Sequence, residues 1–358
     1  MTQNIGSASS EINRQLDWKQ AVKPYQSADT RKSIWQFVST LGLLFIGWIL
    51  AYFSLTIGYW LTLLIAIPTA GFLVRLFIIQ HDCGHGSFFN NRKWNDRVGG
   101  VCGIFTLVPY YHWRKMHAIH HANAGKLDDM RGVGDFYTMT VDEYFHISKW
   151  RQFWYRFYRN TFFLIGLVPF FAFVFGYRFP FKMTKEKGWK KERQSVYWTN
   201  LGILILAGLT IGVVGLKDFL LVQIPLTYIA TTIGAWFFFV QHQYEDAYWA
   251  KEDDWSYVDA ALKGSSYYKL PRILQWFSGN IGFHHIHHLS PRIPNYKLEE
   301  TYKADALFQD VNELTVRSSF GTLKLGLWDE DEQRLISFRE AHERYEAVYA
   351  AQAVEYGD

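Results

Sequence analysis

Residues 58–85 read GYWLTLLIAIPTAGFLVRLFIIQHDCGH. A run of this apolarity and length crosses a bilayer as a helix of about 20 residues. It passes without a break into His81 and His85. On a helix, residues three and four apart share a face, so the two imidazoles project together where the run ends. The expected architecture is therefore a membrane helix that delivers two metal-type ligands to the bilayer boundary.

Three further apolar runs of spanning length lie at 35–55, 197–215 and 219–240. Very short connections, Thr56-Ile57 and Leu216-Lys217-Asp218, pair the runs into two hairpins. Cytoplasmic flanks carry the excess of Lys and Arg. Arg14, Lys19, Lys23, Arg31 and Lys32 precede the first run, and Lys182, Lys185, Lys187, Lys190, Lys191 and Arg193 precede the third. Both flanks, residues 81–196 and everything after 240 are expected on the cytoplasmic side. Residues 98–110 are too short to span, and 161–177 are Phe-rich and interrupted by Pro169. Both read as interfacial or re-entrant helices. The fold class is all-α: a polytopic membrane protein with four transmembrane helices and a cytoplasmic helical cap. Its parts are a polar cytoplasmic arm (1–33), a membrane domain (34–300) and a charged, amphipathic cytoplasmic C-terminal region (301–358).

The composition agrees. Aromatics make up 18% of 358 residues, a proportion suited to lipid interfaces and apolar pockets. With 49% hydrophobic residues the chain is not disordered, and a net charge of +4 is not the footprint of a nucleic-acid binder. Two cysteines, Cys83 and Cys102, make neither a disulfide framework nor a thiolate metal site. Residues 1–33 lack the short apolar core of a signal peptide.

Histidine carries the chemistry. The windows 81–85, 117–121 and 284–288 hold nine of the thirteen histidines, where chance predicts about half of one. His117, His120 and His121 share a helix face, as do His284, His287 and His288. Neutral imidazole is a good ligand for iron, zinc, copper and nickel. Eight ligands exceed what one zinc-type site uses, so two metals are expected. His242 follows the fourth run, on the same membrane boundary as the clusters. His112, His146 and His342 have no partner at ligand spacing and read as structural.

In order and spacing these clusters resemble the three histidine boxes of the membrane-bound fatty acid desaturases. The first has the H-x-x-x-H form, and the other two H-x-x-H-H. The resemblance covers roughly residues 35–300. The surrounding HDCGHGS (81–87) and NIGFHHIHHLSP (280–291) are similar to the bacterial acyl-lipid, Δ12/ω6-like branch. It implies a di-iron centre held by His81, His85, His117, His120, His121, His284, His287 and His288, with His242 as a ninth ligand. Asn280 is a candidate to hold a metal-bound water. His285 points off the shared face and is left out. Asp82, Asp128, Asp129, Glu245 and Asp246 are candidates to orient imidazoles.

The implied reaction is O2-dependent: it introduces a cis double bond into the acyl chain of a membrane lipid. A dinucleotide fingerprint is missing from the sequence, so electrons are expected from a soluble ferredoxin or cytochrome b5-like donor. The basic segment 182–193 is a candidate to dock it, and 98–110 and 161–177 are candidates to wall an acyl tunnel. The catalytic face is expected at the cytoplasmic side of a bacterial inner or plasma membrane. The alternative is a hydroxylase or ketolase of a lipid or carotenoid with the same boxes. A metal transporter would carry ionisable residues along its spans, and within the four runs only Arg75 is one.

Overall fold

The computed structural model describes residues 18–127, 131–181 and 186–356, and these are mostly helical. Helix α1 (Thr30–Ser54) starts where the Asp29 carboxylate accepts the Arg31 and Lys32 amides, and α2 (Tyr59–His85) returns beside it. Gly86 then takes a left-handed φ of 75° and donates its amide to the Asp82 and Cys83 carbonyls. Glycine adopts this conformation at least cost, and it ends the helix immediately after His85. Helices α3 (Arg92–Phe105) and α4 (Tyr110–Asn123) follow. The run 98–110 is thus the end of α3 plus a turn, which closes on Leu107 at φ 63°.

A short strand β1 (Met139–Thr140) leads into α5 (Val141–His146) and α6 (Lys149–Tyr158). A π-helical turn at Phe162–Leu167 runs into α7 (Val168–Val174). The segment 162–178 bends 50° away from α6. Two long helices then form the second hairpin, α8 (Lys190–Val214) and α9 (Leu216–His242). Among the described residues, helices α1, α2, α8 and α9 are long and apolar enough to cross a membrane. The expected runs match them to within one residue at the hairpin turns of the first three, and the helices outlast the runs at the basic and histidine-bearing ends. Polarity ends an apolar run, but the backbone hydrogen bonds continue. At 27 residues, α2 and α9 reach about 40 Å, beyond a hydrocarbon core of about 30 Å. Over the apolar window of α2, 56% is buried, against 11% for α8. Helix α2 is therefore the central post.

The cap is assembled from α10 (Tyr257–Leu262), β2 (Tyr267–Lys269), α11 (Arg272–Phe277), α12 (His284–Leu289), α13 (Asn295–Ala304), β3 (Glu313–Thr315), α14 (Val316–Ser319), β4 (Leu325–Asp329), β5 (Arg334–Ser337) and α15 (Phe338–Tyr356). Strand β2 pairs parallel with β3, and β4 lies between β1 and β5. Part of the C-terminal region is built into this cap. Leu327, Ile336 and Ala341 close a core with Val141, Tyr144 and Tyr155. The expected boundary at 300/301 lies inside α13. At the other end, Val22 packs into the core beneath α12 with Phe283, Ile286 and Leu289, so the polar arm is partly built into the cap.

Candidate metal centre

Four helices carry the histidines to one place. His81 and His85 occupy the last turn of α2, and His242 ends α9. Helix α4 presents His117, His120 and His121 after Pro109 opens it. The third set rides on α12, six residues that are all buried. The chain enters α12 through left-handed Gly279 and Asn280, and Gly282 lies so close to the Tyr268 carbonyl that a Cβ would sit 2.4 Å from it.

The rings sort into two adjacent groups. His81, His85, His117, His121 and His287 each aim a nitrogen into one space, all within 4.8 Å of one another. His120, His242 and His288 do the same in a second. His284 joins the second group, its Nε2 lying 3.0 Å from that of His242. His121 stacks on His288 with ring centroids 4.1 Å apart, so the groups share a wall. Within the first, the Nε2 of His121 lies 3.1 Å from that of His117 and 3.0 Å from that of His287.

Outer contacts set the tautomers. The Nδ1–H of His81 donates to Asp82 Oδ1 at 3.2 Å, and that of His242 donates to the Gly264 carbonyl at 3.3 Å. Each leaves Nε2 free as a ligand atom. The other carboxylate oxygen of Asp82 accepts the backbone and side-chain amides of Asn295 at 2.7 and 2.8 Å. Asn295 in turn accepts Gln36 Nε2 at 2.9 Å. One polar chain thus ties α1, α13 and α2 to the first group. Asp135 faces His120 Nδ1 across 3.8 Å in the second.

The donor set fits metal. Burial holds His117, His120, His121, His284, His287 and His288 well below the usual imidazole pKa, and neighbouring imidazoles add repulsion against a proton. They are neutral, the form that coordinates. His85 Nε2, His288 Nε2 and both nitrogens of His120 are buried without a hydrogen-bond partner. Unpaired buried polar atoms are costly, and a cation in each group would satisfy one nitrogen of each of these rings.

An apolar cavity of about 460 Å³ opens onto this centre. His81, His117 and His284 lie among its walls, and Val74, Phe77, Ala230 and Phe238 extend it along α2 and α9. The segments 98–110 and 161–177 both contribute: Thr106 and Leu107 from one, Leu164, Pro169 and Phe173 from the other. Its volume is that of a small-molecule site.

The family model "Fatty acid desaturase" matches residues 56–313. The chain belongs to the fatty acid desaturase family. A Bacillus subtilis (strain 168) protein named "Fatty acid desaturase" is 43% identical over 327 residues, 91% of this chain and 92% of its own. The "sn-1 oleoyl-lipid 12-desaturase" of Anabaena variabilis is 28% identical over 281 residues, 76% of each chain. The "sn-2 acyl-lipid omega-3 desaturase (ferredoxin), chloroplastic" of Arabidopsis thaliana is 31% identical over 246 residues, 64% of this chain and 51% of that one. The protein is an oxidoreductase of the desaturase type.

In this desaturase all nine expected histidines converge. His285 stays outside the centre as expected, its Nε2–H donating to the Phe308 carbonyl at 3.0 Å. His112 lies among Tyr177, Phe181 and Trp189, His146 bonds the Asp142 carbonyl, and His342 contacts Arg156. Of the expected orienting carboxylates, Asp82 takes that position. Asp128 and Asp129 lie outside the described residues. Glu245 and Asp246 do not reach an imidazole, because the chain turns outward after α9 and exposes both; Glu245 pairs with Arg334 at 3.1 Å. The Asn280 amide donates to the Asn295 carbonyl. Sequence reasoning missed Asp135 and Asn295, which reach the site from irregular chain or a distant helix and carry no ligand spacing.

Proposed function

We propose that the desaturase uses a di-iron centre, O2 and external electrons to introduce a cis double bond into the acyl chain of a membrane lipid. The observation that carries this reading is the meeting of nine histidines with an apolar cavity at the end of two membrane helices. His81, His85, His117, His121 and His287 would hold one iron, and His120, His242, His284 and His288 the other. When bound, the two irons supply the O2-derived oxidant that unactivated methylenes require, a chemistry that side chains alone lack.

The chain's own residues do the rest. Asp82 and Gly264 hold His81 and His242 in the coordinating tautomer. Phe77, Phe238 and Phe173 line a channel that excludes water and leaves the acyl chain few positions beside His81 and His284. Placement matters because a misplacement of about 1 Å costs on the order of 100-fold in rate. The balance is R–CH2–CH2–R′ + O2 + 2 e⁻ + 2 H⁺ giving R–CH=CH–R′ + 2 H2O. A soluble ferredoxin or cytochrome b5-like carrier would supply the electrons; the Arabidopsis relative is named for ferredoxin. The lipid substrate follows the names of the Anabaena and Arabidopsis relatives. The basic flanks of α1 and α8 support a cytoplasmic catalytic face at a bacterial inner membrane.

Fatty acid profiling by gas chromatography–mass spectrometry tests this in a host rich in saturated and monounsaturated lipids, with ferredoxin co-expressed. New double bonds are expected with the wild type and none with His117→Ala. Oxygenated products in place of alkenes would overturn desaturation in favour of hydroxylation. Labelling of Lys187 by a membrane-impermeant reagent in intact cells would overturn the sidedness.

A further inference from the structure

The five-histidine group has a second opening. A cavity of about 260 Å³ has His85, Trp113, Arg114, Lys115, His117 and Glu192 among its walls. Trp113 and His117 also line the large apolar cavity, and their rings stack at 4.5 Å. They form a wall shared by the two spaces. His85, His117 and His121 are partly exposed, whereas the rings of the other group are all buried. An external partner can therefore approach the five-histidine group and not the other.

The rim of this opening is cationic. Arg92 and Arg114 share one carboxylate, Asp96, at 3.4 and 3.0 Å, which leaves a net positive charge there. Lys115 and Lys191 each hold Nζ 3.8 Å over an aromatic ring, Trp189 and Tyr111 respectively. These cation–π contacts fix two charges in place beside the opening. Lys190 and Lys191 are exposed, and the Glu192 carboxylate is the one acidic group among the cavity-lining residues. Cations from α3, α4 and the start of α8 thus ring the accessible edge of His85 and His117.

We propose that this rim is the docking face for a small acidic one-electron carrier of the ferredoxin kind. The inference rests on the proposed function, which requires two electrons per double bond and hence two successive carrier encounters. Complementary charge steers such encounters and sets their orientation more than it sets affinity. A weak, fast-exchanging contact suits a carrier that must leave after giving one electron. The Trp113–His117 stack puts the point of delivery on the far side of the wall from the acyl chain.

The test uses iron-loaded, full-length protein in nanodiscs of neutral phosphatidylcholine and a plant-type [2Fe–2S] ferredoxin as probe. Binding is measured by biolayer interferometry from low to high salt. Wild-type affinity is expected to fall as salt rises. The double variant Lys115→Glu/Lys191→Glu is expected to bind about tenfold more weakly at low salt, with a shallower salt dependence. Arg339→Glu, on α15, is expected to bind as the wild type does. Unchanged iron content and unfolding midpoint establish that the double variant is intact, and equal affinity of that variant and the wild type would overturn the proposal. So would loss of co-purified phosphatidylglycerol from the double variant with ferredoxin binding intact, which would assign the rim to lipid headgroups. A wild type that desaturates with a chemical reductant but does not bind ferredoxin overturns the docking face and leaves the desaturation reading standing. Rim-dependent binding without any double bond formed does the reverse.

Discussion

His284 and His285 are neighbours with opposite fates. His284 faces His242 across 3.0 Å, while His285 turns away to the Phe308 carbonyl. His284→Gln is expected to lose bound iron and all desaturation, and His285→Gln to keep both, as read by iron analysis and product profiling. Asp135→Asn should weaken iron binding by roughly 10- to 100-fold through His120, the usual cost of removing an orienting partner. Two buried histidines outside the centre contribute to acid stability. Burial pushes His112 and His285 down from 6.5 to about 4. Between these values the unfolded chain takes up protons that the folded one refuses, so stability falls as pH drops from about 6.5 to about 4. Above that window these two residues contribute no slope. The unfolding midpoint is expected to decline across it, and His112→Phe should flatten part of the decline.

Where an element stops matters as much as where it starts. Helix α2 must end right after His85 so that the chain can turn away and leave both imidazoles at the open end. Gly86 does this at φ 75°. An alanine there would meet only the mobile end of Arg92, so its cost is in the backbone. Gly86→Ala should destabilise the protein by about 1–2 kcal/mol, read as a lower unfolding midpoint. Helices α3 and α4 are locked to that same end. The Tyr110 hydroxyl donates to the Cys83 carbonyl at 2.7 Å, and a Cβ on Gly99 would lie 2.2 Å from the Tyr110 ring. The second histidine box thus inherits its position from the first.

At the scale of the whole molecule, α2 and α9 form two sides of a channel whose end is the histidine centre. Gly234 on α9 lines it, and nothing lies within 4 Å of where its Cβ would stand. Gly234→Leu therefore intrudes into open channel and not into packed core. It is expected to lower kcat/KM for long acyl chains at least about tenfold, to favour shorter ones, and to leave iron content unchanged. Product chain-length distribution in the expression host checks this. An unaltered distribution would separate the cavity from substrate binding.

The readable part of this protein is local in sequence. Apolar runs, their length, and histidines three and four apart are properties of one helix at a time, so four spans and eight candidate ligands were legible without coordinates. The place of His242 after a span put it on the same boundary, and the family resemblance made it a ligand. Three things were decided only by long-range packing. Nothing in the spacing of His117, His120 and His121 sends His120 to one group and the other two to the next; that follows from how α4 lies against the ends of α2, α9 and α12. Asp135 and Asn295 acquire their roles from contacts with residues far away in the chain. Strands β4 and β5 straddle the charged turn at Glu330–Gln333, and β1 joins them from nearly 190 residues earlier. Helical periodicity repeats within a few residues and leaves its mark on the sequence, whereas a contact between distant segments exists only once the chain has closed on itself.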